Sequence, residues 1–240
     1  MSKLFFLLLL VSINLHAMVI GTDTRAIVKN PSFPFTSIGM LEAFDGQVCT
    51  GVLVSEDLVL SAAHCIEREG RRLRAREMRF HTQYLYGESV GTIVEVEGFY
   101  VGARPLQSED WMLVKLKQKI GSRLGFLATG APEAWHLATP RYFIAGFDIE
   151  FSKNEGLSMS LNQVPGRIKN MERGLLFHDM PTGVGSSGGP ILENRDGVWT
   201  VVGITVAQAR SGSCRVYNLR DCHNIAVPES AWRATLRSLR

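Results

Sequence analysis

The sequence predicts an all-β fold in which short antiparallel strands form barrels or a sandwich. Runs of β-branched and apolar residues recur along the 240-residue chain, and turn residues separate them. Three such runs are residues 47–54, 90–96 and 141–147. Their regular spacing favours barrels or a sandwich over alternating strands and helices.

Two local patterns mark the C-terminal part of the chain. Residues 190–192 and 198–202 predict a hairpin that turns at residues 194–197, Asn-Arg-Asp-Gly. Residues 228–239 predict a helix, because Pro228 suits a first helical turn. One face of this helix carries three apolar residues at helical spacing, which is typical of a packing stripe: Trp232, Leu236 and Leu239.

The first 17 residues have the features of a secretory signal peptide. Lys3 supplies a positive charge, residues 4–11 form a short apolar run, and Ala17 precedes the expected cleavage point. A membrane-spanning helix needs about 20 apolar residues, and Asn14 interrupts this run too early. We therefore expect a chain that is secreted or periplasmic and has no membrane span after signal removal.

The charge balance gives no indication of a polyanionic partner. The formal net charge is +3, a mild excess that does not argue for nucleic-acid binding. Residues 67–79 contain six arginines, which could bind an anion. We interpret this run instead as a solvated loop.

The chain has four cysteines, Cys49, Cys65, Cys214 and Cys222. An even number in an exported chain indicates two disulfides. Zinc binding is the alternative, but neither a C-x-x-C nor an H-E-x-x-H spacing occurs. We expect no metal and no cofactor.

Three short motifs carry the candidate chemistry. Ser187 lies within residues 185–190, Gly-Ser-Ser-Gly-Gly-Pro, where glycines leave space for a substrate and free a backbone N–H for an oxyanion. His64 lies in Ser-Ala-Ala-His-Cys, and Asp110 precedes an apolar run. A base, an acid to orient it and a hydroxyl nucleophile thus occur in the order His, Asp, Ser.

The serine motif also fits G-x-S-x-G, the nucleophile turn of α/β-hydrolases. That turn requires a helix directly after the serine, with the acid and the histidine later in the chain. Here Gly-Gly-Pro follows Ser187, which opposes a helix. Too few residues remain after Ser187 for the rest of that fold.

On these motifs the chain resembles the trypsin-like serine proteases of the chymotrypsin fold, and within them the bacterial glutamyl-endopeptidase-like branch. The resemblance covers nearly everything after residue 17. It implies two antiparallel six-stranded β-barrels, about residues 19–119 and 120–227, followed by the C-terminal helix. The site would lie in the cleft between the barrels.

The resemblance also implies the roles of the site residues. Ser187 would be the nucleophile, His64 the general base and then the general acid, and Asp110 the residue that orients the histidine. Glu109 is the fallback for the acid. The backbone N–H groups of Gly185 and Ser187 would form the oxyanion hole.

The family pattern further implies a disulfide between Cys49 and Cys65, beside the histidine. With that pairing, Cys214–Cys222 is the expected second bridge, which departs from the family. A second departure is Ser186, which stands where the family has an aspartate that pairs with a freed N-terminal amine.

The residues expected in the specificity pocket differ from those of two related groups, the trypsins, which bind basic side chains, and the glutamyl endopeptidases, which bind acidic ones. Pro181 stands where trypsins carry an aspartate, and Thr182 matches a threonine of the glutamyl endopeptidases. Thr205 replaces their key histidine. His178 could approach the same pocket, but we favour a structural role for it. Four residues indicate a mostly neutral wall: Thr205, Val206, Ala207 and Gln208.

We therefore predict an exported serine endopeptidase that acts as a monomer on protein or peptide substrates through an acyl-enzyme. Two alternatives come from other classes. One is a catalytically silent binding protein on the same fold, which an intact set of three residues opposes. The other is an exported esterase that uses the same three residues.

Overall fold

The computed structural model describes residues 22–103, 108–133, 141–157, 159–208 and 223–240. Over these ranges the chain forms a closed six-stranded barrel and a curled nine-stranded sheet, with few helices. The predicted all-β fold class is confirmed. The expected signal peptide, residues 1–17, lies outside the described residues.

The strands of the described residues are numbered in chain order. They are β1 Ala26–Ile27, β2 Ile38–Ala43, β3 Val48–Leu53, β4 Leu58–Ser61, β5 Glu67–Arg68, β6 Arg71–Arg72, β7 Met78–Thr82, β8 Tyr84–Leu85, β9 Glu88–Ser89, β10 Ile93–Val101, β11 Met112–Leu116, β12 Ala128–Thr129, β13 Tyr142–Phe147, β14 Leu161–Gly166, β15 Ile168–Glu172, β16 Leu175–His178, β17 Pro190–Arg195, β18 Val198–Gln208 and β19 Asn224–Pro228.

The helices are short. The α-helices are α1 Gly121–Leu124, α2 Ile149–Asn154 and α3 Arg233–Leu239. The 3-10 helices are Phe35–Ser37, Ala63–Ile66, Ala75–Glu77 and Glu229–Ala231. Within the described ranges, no helix is long and apolar enough to cross a membrane.

The closed barrel has the strand order β10-β11-β4-β3-β2-β7, and every neighbouring pair is antiparallel. Its inner side chains are fully buried, for example Leu41, Leu53, Val59, Phe80 and Val114. Each such side chain contributes about 1.5–3 kcal/mol relative to exposure. This barrel is therefore a firm support for the residues at its rim.

The curled sheet follows the order β1-β14-β13-β17-β18-β19-β16-β15, and β12 pairs with β18 in parallel. Its own apolar cluster includes Ile144, Val164, Leu176 and Val202. The strand β1 precedes the barrel in sequence, yet it pairs with β14 of this sheet. The N-terminal segment thus crosses to the second half of the molecule.

The predicted hairpin is present, but its turn is shorter than expected. The strands β17 and β18 extend to Arg195 and from Val198, so that only Asp196 and Gly197 form the turn. Both residues have positive φ, 51° and 92°. Two such residues define a type I′ turn, whose twist matches that of the flanking strands.

The arginine-rich run is also more ordered than the expected solvated loop. The strands β5 and β6 form a small hairpin within it. Ion pairs tie its arginines to acidic neighbours, including Arg72 to Glu67 at 2.6 Å and Arg71 to Glu77 at 2.9 Å. Much of its positive charge is therefore already paired.

The C-terminal helix is present in two parts, a 3-10 turn and then α3. Pro228 does not open the helix, because it is the last residue of β19 and has an extended backbone. Trp232 and Leu236 are fully buried and Leu239 packs beside them. The predicted packing stripe is thus confirmed.

Candidate active site

His64 lies at the rim of the barrel, in the 3-10 turn Ala63–Ile66 that follows β4. A disulfide joins Cys65 to Cys49 on β3, with a Cα–Cα distance of 6.3 Å. A cross-link that closes a loop of this length contributes about 3 kcal/mol by chain-entropy reasoning. The predicted Cys49–Cys65 pair is therefore present, whereas Cys214 and Cys222 lie outside the described residues.

Asp110 holds the histidine at two points. Its Oδ2 lies 2.8 Å from His64 Nδ1, and its Oδ1 accepts the backbone N–H of His64 at 2.9 Å. Asp110 is fully buried and lies two residues before Met112, the first residue of β11, which pairs with Ser61 of β4. The neighbouring Glu109 is exposed, so the geometry favours Asp110 over this fallback.

This contact determines how the imidazole can act. An ionised carboxylate only accepts hydrogen bonds, so the proton of a neutral His64 lies on Nδ1. The other ring nitrogen, Nε2, then carries a lone pair. The arrangement can therefore present a base at the barrel rim and stabilise it once it is protonated.

The loop that carries Ser187 comes from the curled sheet and is attached to the barrel through Thr50 of β3. The backbone N–H of Thr50 donates to the Ser187 carbonyl at 2.8 Å. The Thr50 hydroxyl donates to the Gly185 carbonyl at 2.9 Å and accepts the N–H of Phe147 at 2.9 Å. Sequence reasoning missed Thr50, because nothing in its local pattern marks a residue that joins the barrel to the curled sheet.

The glycines of this loop are required by close packing. A Cβ at Gly188 would collide with the Ser61 hydroxyl and with the carbonyl of Thr50. Gly185 has a φ of +99°, which favours glycine, and a Cβ there would lie 2.6 Å from the Phe147 carbonyl oxygen. The loop thus lies directly against the strand that leads to His64.

Within residues 183–189, the backbone N–H groups of Val184, Gly185 and Ser187 make no hydrogen bond to the described part of the chain. The neighbouring groups are engaged, since Ser186 N–H donates to Gly183 at 3.0 Å and Gly188 N–H donates to Thr205 at 2.8 Å. The predicted oxyanion-hole donors are therefore available to an external acceptor.

The strand β18 forms a wall beside the same loop. Thr205 N–H donates to the Gly189 carbonyl at 2.9 Å, and the Thr205 hydroxyl lies 3.5 Å from the carbonyl of Ile225. A bulge separates Thr205 from Ala207, and Val206 is buried. Four residues were predicted to form this wall, and the side chain of one of them, Gln208, lies outside the described atoms. The three others carry no charge.

Pro181 and Thr182, which precede the loop 183–189, are both buried. This segment is attached to β19 by Asn224, whose side-chain amide donates to the carbonyl of Met180 at 2.7 Å. His178 lies opposite Asn224 in the register and is fully buried. Asn224 was not among the predicted site residues, because a lone Asn at a strand start has no distinctive pattern.

Burial lowers the pKa of His178 to about 3, although the Met180 backbone favours the protonated ring. The folded protein therefore keeps His178 neutral where the unfolded chain, with an ordinary pKa near 6.5, binds a proton. The contribution of His178 to stability is then expected to fall as the pH falls below about 6.5, by about 1.6 kcal/mol between pH 6.5 and 5. Urea unfolding at several pH values measures this loss.

The variant His178→Asn is the comparison for this prediction. Its stability at pH 7 is expected to be lower because the core is repacked, but its decline toward pH 5 should be shallower. Equal slopes for the two proteins, or a His178 NMR resonance that titrates near pH 6.5, would contradict the assignment.

Together, a six-stranded barrel and a curled sheet meet at a histidine–aspartate pair and a glycine-rich serine loop. Comparison with solved structures finds this architecture in a Glu endopeptidase determined in complex with MPD. The match has a TM-score of 0.76 and 20% sequence identity, and covers 92% of this chain and 99% of that chain. The fold is therefore chymotrypsin-like, as the motifs predicted.

The family follows from the sequence itself. A family model described as Trypsin matches residues 28–221, which is most of the chain. The chain belongs to the trypsin family and is a serine endopeptidase. A sequence comparison with curated proteins finds no match.

Proposed function

We propose that this protein is an exported endopeptidase whose nucleophile is Ser187, with His64 as general base and Asp110 as the residue that orients it. One observation carries the proposal: buried Asp110 holds His64 at both Nδ1 and the backbone N–H. Such a double contact fixes the tautomer and the orientation of a catalytic imidazole. Membership of the trypsin family supports the same roles.

The first half of the reaction forms an acyl-enzyme. Ser187 Oγ attacks the carbonyl carbon of the substrate while His64 Nε2 takes the hydroxyl proton. The negative charge moves to the carbonyl oxygen, which the N–H groups of Gly185 and Ser187 stabilise. When the C–N bond breaks, His64 returns its proton to the leaving amine.

The second half releases the acid product. A water molecule gives a proton to His64 Nε2 and attacks the ester carbon. The tetrahedral intermediate uses the same two N–H groups, and the C–O bond to Ser187 then breaks. His64 returns the proton to Ser187 Oγ, so the enzyme is restored without a cofactor.

The neutral wall directs the proposed specificity away from basic side chains. Pro181 offers no carboxylate, and Thr182 and Thr205 are buried and uncharged. A basic side chain would lose its hydration there without a counter-charge. We therefore propose substrates with an uncharged side chain before the cleaved bond.

Export is proposed from the first 17 residues and agrees with the Cys49–Cys65 disulfide. Disulfides persist in oxidising compartments outside the cytosol. The secreted and periplasmic locations share this chemistry, and fractionation of producing cells separates them.

A fluorophosphonate probe tests the proposed nucleophile, because it reacts only with an activated serine. Peptide mapping by mass spectrometry should place the adduct on Ser187. A protein that takes up no probe would instead be the silent binding protein. Cleavage of small esters without cleavage of any peptide in a library would support the esterase.

A further inference from the structure

Arg25 occupies an unusual position for an N-terminal residue, because its side chain is only 4% exposed. It directly precedes β1, which pairs with β14 through Ala26 and Gln163. The next backbone contact is equally regular, since Val28 N–H donates to the Leu161 carbonyl at 2.9 Å. The N-terminal segment is thus fixed on the curled sheet where Arg25 enters the interior.

The guanidinium of Arg25 binds two carboxylates. Its Nη1 lies 2.7 Å from Asp148 Oδ2, and its Nη2 lies 2.6 Å from Asp23 Oδ2. The same group stacks on the ring of Phe151 at 4.6 Å. Asp148 is fully buried, whereas the Asp23 side chain is 39% exposed. The charge of Asp148 therefore depends on Arg25 for its stabilisation, whereas water can solvate the charge of Asp23.

Asp148 is fixed from a second direction as well. Its Oδ1 accepts the backbone N–H of Phe151 at 3.0 Å, which caps α2. Burial raises the pKa of Asp148, and the contacts to Phe151 and Arg25 oppose this. A buried carboxylate keeps its charge and its position only with such partners.

The residues around Asp148 lie along the loop that precedes Ser187. The carboxylate packs against Gly183 so closely that a Cβ there would collide with it. The N–H of Ile149 donates to the Val184 carbonyl at 3.0 Å, and the carbonyl of Phe147 contacts Gly185. Three consecutive residues therefore support three consecutive residues of the loop.

We propose that Arg25 and Asp148 are positioning residues that hold the loop 183–186 in the conformation that aims the N–H groups of Gly185 and Ser187 at the substrate oxyanion. The inference rests on the proposed function of Ser187. Neither residue touches the substrate. Their effect passes from the ion pair through Gly183 and Val184 to the two donors.

The variant Arg25→Met tests this role, since it keeps the length of the side chain and removes its charge. Complete removal of one oxyanion donor costs about 10²–10³ in kcat. Because the donors are displaced here and not removed, we expect a smaller fall in kcat on a peptide substrate, about tenfold to a hundredfold. KM should change by less than about threefold, since the wall strand is not involved. The rate of fluorophosphonate labelling should fall by the same factor as kcat, because the P–O oxygen uses the same donors.

Loss of the buried charge partner could also prevent folding, so the double variant Arg25→Met/Asp148→Asn is measured beside it. In the double variant neither member of the Arg25–Asp148 pair is left as an unpaired buried charge. The double variant should therefore fold, while its kcat stays reduced. The matched control is Arg195→Met, which removes the partner of the buried Glu193 at the far end of β17. The control should lose stability and keep the kcat of the unchanged enzyme.

A folded double variant with the kcat and labelling rate of the unchanged enzyme would overturn the positioning role while Ser187 remained the nucleophile. If the unchanged protein itself takes up no fluorophosphonate at Ser187, the proposed function fails first. The two failures are therefore distinguished in one set of samples.

Discussion

The variant Ser187→Ala is expected to lose nearly all turnover while the fold stays intact. Without the hydroxyl no acyl-enzyme can form, and removing the nucleophile of another serine protease lowered kcat by about 10⁶-fold. The backbone contact that anchors this residue, from Thr50 N–H to the carbonyl of residue 187, does not involve the side chain. Peptide cleavage assays and thermal unfolding of the same sample measure the two effects.

Ser186→Ala provides the matched control for this loss. Ser186 is the adjacent serine, it is buried, and its hydroxyl makes a contact of only 3.3 Å with the Gly183 N–H. A neutral hydrogen bond contributes about 0.5–1.5 kcal/mol, so most activity should remain. Retention of more than a few per cent of activity by Ser187→Ala would remove the serine from its proposed role.

The variant Asp110→Asn is expected to have the second-largest effect. An asparagine keeps the shape, but its amide can donate to His64 Nδ1 and so place the ring proton on Nε2, where it blocks the base. In another serine protease the same change lowered kcat by about 10⁴-fold. Steady-state kinetics near pH 8 measure the loss, and the His64 backbone contact should keep the variant folded.

Glu109→Gln is the neighbouring control, because Glu109 is exposed and adjacent in sequence. Its kcat should stay close to that of the unchanged enzyme. A larger loss at position 109 than at position 110 would exchange the proposed roles of the two acids.

The parts of the molecule that the sequence predicts are those with local signals. Turn residues and apolar runs mark the strands, so the all-β class follows from them. Asp110 is predicted to be buried by the apolar run that follows it, and it lies fully buried beside His64. The roles of these residues stay predictions until the variants are measured.

The parts that the sequence does not predict depend on contacts between distant residues. Arg25 and Asp148 are 123 residues apart. In the sequence, each looks like an ordinary charged residue on the surface. The hairpin of β5 and β6 has no apolar alternation, because it is largely exposed and ion pairs hold it. The turn residues 194–197 indicate that the chain reverses there. They do not show that only Asp196 and Gly197 form the turn, because its length depends on the twist of the two strands.

The contacts of Thr50 also have a consequence for the order in which the parts of the protein fold. The barrel rim with His64 is synthesised early, whereas the loop with Ser187 is synthesised near the end of the chain. That loop obtains its anchors on Thr50 only when the late sheet docks against the early barrel. If Ser187 is the nucleophile, as proposed above, proteolytic activity is expected to appear only once this docking is complete.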